Sequence, residues 1–430
     1  MVSSVSTDTR RLEPEGLFIA LRGDRTDGHA FVAEALARGA AGAIVDRPMD
    51  GAVIEVADTA RALLDLGADE RRRLGDATVI GVTGSNGKTS TKDLAAAVLG
   101  TRFRTHASPA SFNNEIGVPM TFLGSPPGTE VVVAELGARR EGDVTMLSKL
   151  ARPQIVVVTN VGVAHMEIFG SWEAVVRCGA EAVEALGSDG VAIVNADDPV
   201  VRGYAARTRA RVRTFGIEAG SDVRASEVVL GDDGRASFTI DAAGERERIE
   251  LAVPGEHMIP NALAAAACGI ELGLSPAEVA AALKGARVSA WRMETFTTAD
   301  GIVVLNDAYN ANPESMAAGL RTARWMARRG RLVAVLGHMA ELGPIAFEEH
   351  ERLGELVVRI GVDRLVTVGE PARAIARAAI REGQLPEDVA QHEDLAEVIE
   401  DVRRWAREGD VVLIKGSRVV GLERVAEALR

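Results

Sequence analysis

Cysteine is almost missing from the chain: Cys178 and Cys268 are the only two in 430 residues. Two are too few for a disulfide framework, and they show no metal-ligand spacing, so a reducing, cytoplasmic setting is expected. Aromatic residues make up only 4%, which leaves few platforms for stacking unpaired bases. Positive charge is in deficit, since 49 Lys and Arg stand against 62 Asp and Glu for a net charge of −13. Such a field repels phosphate backbones, and nucleic acid is not an expected partner. No run approaches the ~18 uninterrupted apolar residues of a membrane span; the most apolar stretch, 259–274, is broken by Pro260, Asn261 and Glu271. The opening MVSSVSTDTRR has no basic segment followed by an apolar one, so neither a secretion signal nor a membrane partner is expected. Solenoid-period repeats and low-complexity tracts are also lacking.

What is present is an ordinary globular balance, 47% apolar and 26% charged, with length for two or three domains of about 150 residues each. Residues 1–76 carry short apolar runs at 16–21 and 43–45 and helix-like segments near 30–38 and 59–74, a small α/β unit closed by the charged stretch Asp69-Glu-Arg-Arg-Arg73. From Thr78 the texture becomes short β-branched runs alternating with helical patterns: Thr78–Thr83, Val131–Glu135, Ile155–Thr159 and Val191–Val194 read as buried parallel strands. Alternation over 222–253 around Gly231-Asp-Asp-Gly234 predicts a hairpin-bearing antiparallel insertion. The β/α texture repeats near the C-terminus with strands at Ile302–Leu305, Leu332–Leu336, Arg364–Val368 and Val411–Ile414. The fold expected is α/β in three domains: a small N-terminal α/β domain over 1–76, a central P-loop-type, mostly parallel ATPase sheet over 77–295, and a Rossmann-like domain over 296–430.

The sharpest chemical signal is Ile80-Gly-Val-Thr-Gly-Ser-Asn-Gly-Lys-Thr-Ser90, followed by the helical run Asp93–Leu99. A strand, a glycine-rich turn and a helix in that order aim backbone N–H groups at phosphate, with Lys88 on the outer phosphates and the Thr89 hydroxyl on magnesium. Val82 stands where the strict phosphate-loop pattern has its first glycine, and the glycines fall at 81, 84 and 87. The bland alternative is a glycine-rich turn with a surface lysine.

That spacing resembles the ATP loop of the Mur ligases and the folylpolyglutamate synthetases, which form amide bonds through acyl phosphates. Further matches run in Mur ligase order: Val5-Ser-Thr-Asp-Thr-Arg10, Leu17-Phe-Ile-Ala-Leu-Arg-Gly23, Phe112-Asn-Asn-Glu-Ile-Gly117, Glu135-Leu-Gly-Ala138, Asn160-Val-Gly162 with Ala164-His165, Asn195-Ala-Asp-Asp-Pro199, Asn261-Ala-Leu-Ala-Ala265, Arg292-Met-Glu294, Asn306-Asp-Ala-Tyr-Asn-Ala-Asn-Pro313 and Lys415-Gly-Ser-Arg418. They narrow the resemblance to the branch that adds D-alanyl-D-alanine to a UDP-N-acetylmuramoyl tripeptide. The resemblance implies ATP and Mg²⁺, with Gly84, Asn86, Gly87, Lys88, Thr89, Ser90, Asn261, Arg292 and Asp307 on the nucleotide. Lys88 and Arg292 become cationic clamps, and Thr89, Glu135 and His165 metal ligands, His165 sharing in catalysis. Substrate contacts are implied for Ser6, Thr7, Arg22, Asn113, Asn114, Tyr309, Asn310, Asn312, Lys415, Ser417 and Arg418. Taken alone, Glu135 reads as a solvated strand-end carboxylate, His165 as a structural histidine, Asp307 and Asn261 as caps, and Lys415–Arg418 as a solvated turn. The substrates are small molecules, a UDP-muramoyl peptide and an amine, and the chain is expected to act as a monomer.

Several positions depart from the family pattern. Met1 falls almost on the Ser-Thr-Asp motif, so the N-terminal domain reads as truncated. Ser111 replaces the first asparagine of an Asn-x-Asn-Asn run, Met258 an asparagine, Trp291 a glycine, and Gly337-His338-Met339 a Gly-Asp-Met. Gly179 stands where the family carries a carbamoylated lysine. These departures leave two alternatives beside peptidoglycan-precursor ligation: a paralogue joining another carboxylate and amine, or a ligation-deficient nucleotide-binding partner protein.

Overall fold

The computed structural model describes residues 2–23, 26–163 and 166–430, so His165 lies outside the described residues. Three sheets follow one another along the chain. The first is fully parallel, with strands Val5–Ser6, Leu17–Ile19, Gly42–Val45 and Val53–Glu55 in that order. Its last helix, Thr59–Arg73, is capped by the Asp58 carboxylate, which accepts from the amides of Ala60 and Arg61. This helix packs Leu64 and Ala68 against the central sheet's helices. Arg71 is buried, donating from Nε to the carbonyl of Ala151 at 2.8 Å. Arg71 of the charged stretch therefore docks the first unit onto the second, while Arg72 and Arg73 stay exposed and pair within their own helix.

The central sheet has nine strands. Thr78–Thr83 lies between Val131–Glu135 and Ile155–Val158, parallel to both. All three are buried over nearly their whole length, as their unbroken β-branched runs require. Each fully buried valine or isoleucine contributes about 1.5–3 kcal/mol relative to exposure. Beyond Val191–Asn195 and Arg211–Gly216 the sheet continues into Val223–Leu230, Arg235–Ala242 and Glu245–Pro254. The expected hairpin turns at Gly231–Gly234, but its first strand pairs parallel with Arg211–Gly216. The segment is thus the edge of the central sheet rather than a separate insertion. Helix Met258–Glu271, apolar almost all round, is sandwiched against the phosphate-loop helix Lys88–Leu99.

The third sheet runs Glu294–Thr297, Val303–Asn306, Val411–Lys415, Leu332–Gly337, Arg364–Val368, Val389–His392, antiparallel only at the first pair. Ligands of such sheets sit at the carboxyl ends of the strands where the order reverses. The carboxyl ends of Thr78–Thr83 and of Val303–Asn306 with Val411–Lys415 face one cleft.

Candidate active site

The cleft has a volume of about 1490 Å³ and is lined from all three sheets, by Ser6 and Thr7 from the first, the phosphate loop and Glu135 from the second, and Asp307 and Lys415 from the third. The loop is held by its neighbours before any ligand arrives. Asn160 accepts from the Ser85 amide through its carbonyl at 2.9 Å and from the Asn86 amide through Oδ1 at 2.8 Å. Gly87 has φ +80°, and a β-carbon there would lie 2.2 Å from Asn261 Oδ1. Glycine is thus required both by the left-handed backbone and by the close approach of the facing helix. Lys88 opens the helix and turns back, donating to the carbonyls of Gly84 at 2.6 Å and Ser85 at 3.2 Å. Burial pulls its ammonium below the usual lysine range, with Glu135 opposing and Arg292 adding to the shift.

Glu135, 1% exposed, accepts from Asn113 Nδ2 at 2.8 Å through Oε1, while its Oε2 is buried without a hydrogen-bond partner. Thr89, 2% exposed, shares a 3.0 Å hydrogen bond with the Ser111 hydroxyl. Among the described residues no cluster of three or more His, Cys, Asp or Glu forms a metal site. A carboxylate oxygen without a partner beside a lysine loop and a threonine hydroxyl nevertheless suits Mg²⁺, which takes one or two carboxylates and completes its octahedron from water and phosphate.

The opposite wall is built from distant segments. Arg292 donates from Nη2 to Ser111 Oγ at 3.0 Å, its guanidinium lies 4.1 Å from the centre of the Tyr309 ring, and its Nε is buried without a partner. The cleft thus holds a carboxylate oxygen and a guanidinium N–H without hydrogen-bond partners, as a magnesium–phosphate ligand would need. Trp291 and Met293, flanking Arg292, have φ +61° and +53°, a backbone region that disfavours L side chains. This accounts for the glycine expected at 291, and the Trp291 indole is held instead under Arg418 at 4.2 Å. Asp307 accepts from the Met293 amide at 3.1 Å and from Lys415 Nζ at 2.5 Å. Lys415 is also bonded to the Asn310 carbonyl at 3.0 Å. Asn312 caps the following helix and donates to Asn86 Oδ1 at 2.6 Å.

Most of the residues named from the sequence therefore converge on the cleft, including Ser6, Thr7, Ser90, Asn113, Asn114, Asn261, Tyr309, Asn310, Ser417 and Arg418. Arg22 stands outside it, exposed and paired with Asp46 at 2.7 Å. Of the departures, Met258 packs its sulfur 3.6 Å from Asn261 Nδ2, and the His338 carbonyl accepts from the Ser417 amide at 3.1 Å. Gly179 lies in helix Trp172–Glu184, where a β-carbon would stand 2.7 Å from the Tyr204 hydroxyl, itself donated to the Val176 carbonyl at 2.6 Å. Sequence reasoning gave no role to Asn160, Ser111 or Glu314, whose Oε1 accepts from the Val163 amide at 2.9 Å. Asn160 carried a signal as part of the Asn-Val-Gly match and Ser111 as a departure from the Asn-x-Asn-Asn run, whereas Glu314 carried none.

A glycine-rich loop bearing Lys88, faced across one cleft by Arg292, Asp307 and Lys415, is the arrangement of a nucleotide-binding protein. Three family models tile the chain: "Mur ligase family, catalytic domain" over residues 1–71, "Mur ligase middle domain" over 82–269 and "Mur ligase, glutamate ligase domain" over 291–418. The chain belongs to the Mur ligase family and is an ATP-dependent ligase. It is 41% identical to UDP-N-acetylmuramoyl-tripeptide–D-alanyl-D-alanine ligase of Mycobacterium tuberculosis, over 100% of this chain and 92% of that one. It superposes on MurF of Acinetobacter baumannii with TM-score 0.88 at 31% identity, covering 100% and 93% of the two chains. MurF of Thermotoga maritima in complex with ADP gives TM-score 0.83 at 27% identity, covering 99% and 96%.

Proposed function

We propose that this Mur ligase joins D-alanyl-D-alanine to a UDP-N-acetylmuramoyl tripeptide at the expense of ATP, in peptidoglycan precursor synthesis. The observation that carries the choice of substrates is the 41% identity to the named ligase over the whole chain, and the buried, unpartnered Glu135 Oε2 and Arg292 Nε in a cleft lined from all three sheets support the use of ATP. A carboxylate is a poor electrophile. Its oxygen takes the γ-phosphoryl group, ADP leaves, the amine nitrogen attacks the acyl carbon, and phosphate departs with that carboxylate oxygen while the amine gives up a proton. Lys88 and Arg292 stabilise charge on the phosphoryl oxygens, and most of the catalysis is positioning of this kind. Mg²⁺ would be held by Thr89 and Glu135, with His165 as a further ligand by resemblance, and would supply positive charge beside the phosphates. Asp307 and Asn261 would take the ribose and adenine.

The division of labour inferred is UDP-substrate binding by 1–76, ATP and ligation chemistry by 77–295, and nucleotide and amine binding by 296–430. No helix of the described residues is long and apolar enough to cross a membrane. A cytoplasmic monomer fits the nucleotide-linked substrates and the scarcity of cysteine.

One observation favours a second reading, a related ligase with another carboxylate and amine. The Tyr204 hydroxyl fills the space that a side chain at 179 would enter, so this position supplies no counterpart of the lysine that the family resemblance leads one to expect there. Phosphate release from ATP that requires both the muramoyl tripeptide and D-alanyl-D-alanine is the expected result. Turnover only with other amines selects the second reading, and nucleotide binding without any turnover would mark a ligation-deficient binding protein.

A further inference from the structure

The loop from Ser108 to Asn114 touches three groups of the phosphate site that are expected to carry charge or metal, Glu135, Thr89 and Arg292. The Ser108 hydroxyl accepts from the Glu135 amide at 3.1 Å, and Asn113 Nδ2 donates to Glu135 Oε1 at 2.8 Å. Ala110, at φ +46°, turns the backbone through the left-handed region, and the next residue, Ser111, reaches Thr89 and Arg292 at 3.0 Å each. Arg292 can only donate, so Ser111 Oγ must be its acceptor. A hydroxyl has two acceptor positions, and the second is free to take the Thr89 proton. With Thr89 as the donor, its lone pairs are left for the cleft, the orientation a hydroxyl needs in order to face a cation.

We propose that Ser111 is a positioning residue, whose hydroxyl holds the metal-facing Thr89 and the interdomain Arg292 in one register. Arg292 is tied to the C-terminal sheet by its stacking on Tyr309, whereas Thr89 belongs to the central one. Ser111 touches both side chains, so it couples the placement of the cationic clamp to that of the metal ligand. The inference rests on the ATP-ligase reading but not on the identity of the amine or the carboxylate.

The test is calorimetric binding of a non-hydrolysable ATP analogue to the full chain, with and without Mg²⁺ and with no organic substrate present. Ser111→Ala is expected to lose about tenfold of the Mg²⁺-dependent gain in affinity, the size of one hydrogen bond to a charged or metal-polarised group. Metal-free affinity should change less than about twofold, and Ser111→Thr, which keeps the hydroxyl, should restore the gain. A full Mg²⁺ gain in Ser111→Ala, an equal loss with and without metal, or a threonine variant as weak as alanine would each overturn the proposal. In turnover, whichever amine is used, Ser111→Ala should cost about tenfold in the native background and less than about twofold in Arg292→Lys, since residues acting through one another are non-additive. Additive losses would also overturn it. No analogue binding by the unaltered chain would remove the nucleotide site itself, whereas binding without turnover of the muramoyl substrates would remove only the substrate assignment.

Discussion

The two walls of the cleft are made in different ways. The phosphate loop is one contiguous stretch, 84–90, shaped by backbone carbonyls and by Asn160, with Lys88 folded back on its own loop. The facing wall is assembled from residues 292, 307–312 and 415–418 by side chains that hold one another, Arg292 on Tyr309, Lys415 on Asp307 and Arg418 on Trp291. The first wall is preorganised for chemistry, while the second depends on the docking of a domain. A lysine should therefore mean different things on the two sides.

Lys88→Ala should lower phosphate release by about 10²–10³, the cost of one electrostatic contact to a developing charge. Its melting temperature should stay close to that of the unaltered chain, because the ammonium is already below its ordinary range through burial and anchors no core. Lys415→Ala should show the reverse balance. Lys415 is 2% exposed, and its removal leaves the Asp307 carboxylate partly buried without its cation, a loss of about 3–5 kcal/mol. Urea unfolding followed alongside phosphate release separates the two. Equal stability loss in both variants would erase the distinction between the walls.

Next in size is Gly179. The Gly179→Ala substitution forces a β-carbon to 2.7 Å from the Tyr204 hydroxyl, and overpacking of this kind costs about 1–3 kcal/mol. Gly179→Lys is expected to destabilise at least as much, without gain of turnover in bicarbonate. Tyr204→Phe combined with Gly179→Ala should recover part of the stability. A Gly179→Lys variant that is both stable and faster would show that the space is not closed.

The same contrast explains what was legible in the sequence. Thr78–Thr83 and Val131–Glu135 fall where their continuous β-branched runs placed them, because strands buried on both faces need no alternation. The helix Lys88–Leu99 starts five residues before the helical run read from Asp93, since its first turn faces the cleft and carries only polar side chains. Ser111 stands out in the sequence only as a departure from the family run, and Glu314 not at all. Their roles arise from contacts 181 residues apart in chain for Ser111 and Arg292, and 151 for Glu314 and Val163, and only topology brings such pairs together. Arg71 was hidden for a related reason: a charged run ordinarily marks solvent, and nothing nearby announces that the Ala151 carbonyl waits for one of its members.

The smallest effect expected is on pH dependence. Burial lowers the pKa of His106, His257, His338 and His350. The unfolded chain then binds protons that the folded chain refuses, so stability rises with pH across this window and falls on acidification below about 6.5. Paired carboxylates titrate lower, as with Asp8, held at about 2 by its hydrogen bonds to Arg10, and do not disturb the window. Urea midpoints should decrease between about pH 7.5 and about pH 5.5; a flat profile would contradict the lowered pKa of these partly or fully buried histidines.

The central claim, that the two walls meet around a phosphoryl group passing to a carboxylate, has a direct isotopic test. With the acceptor carboxylate labelled with ¹⁸O, ligation through an acyl phosphate transfers one labelled oxygen into each phosphate released. Mass spectrometry of the product phosphate should show that single label in step with ADP formed. Unlabelled phosphate accompanying amide formation would contradict the account.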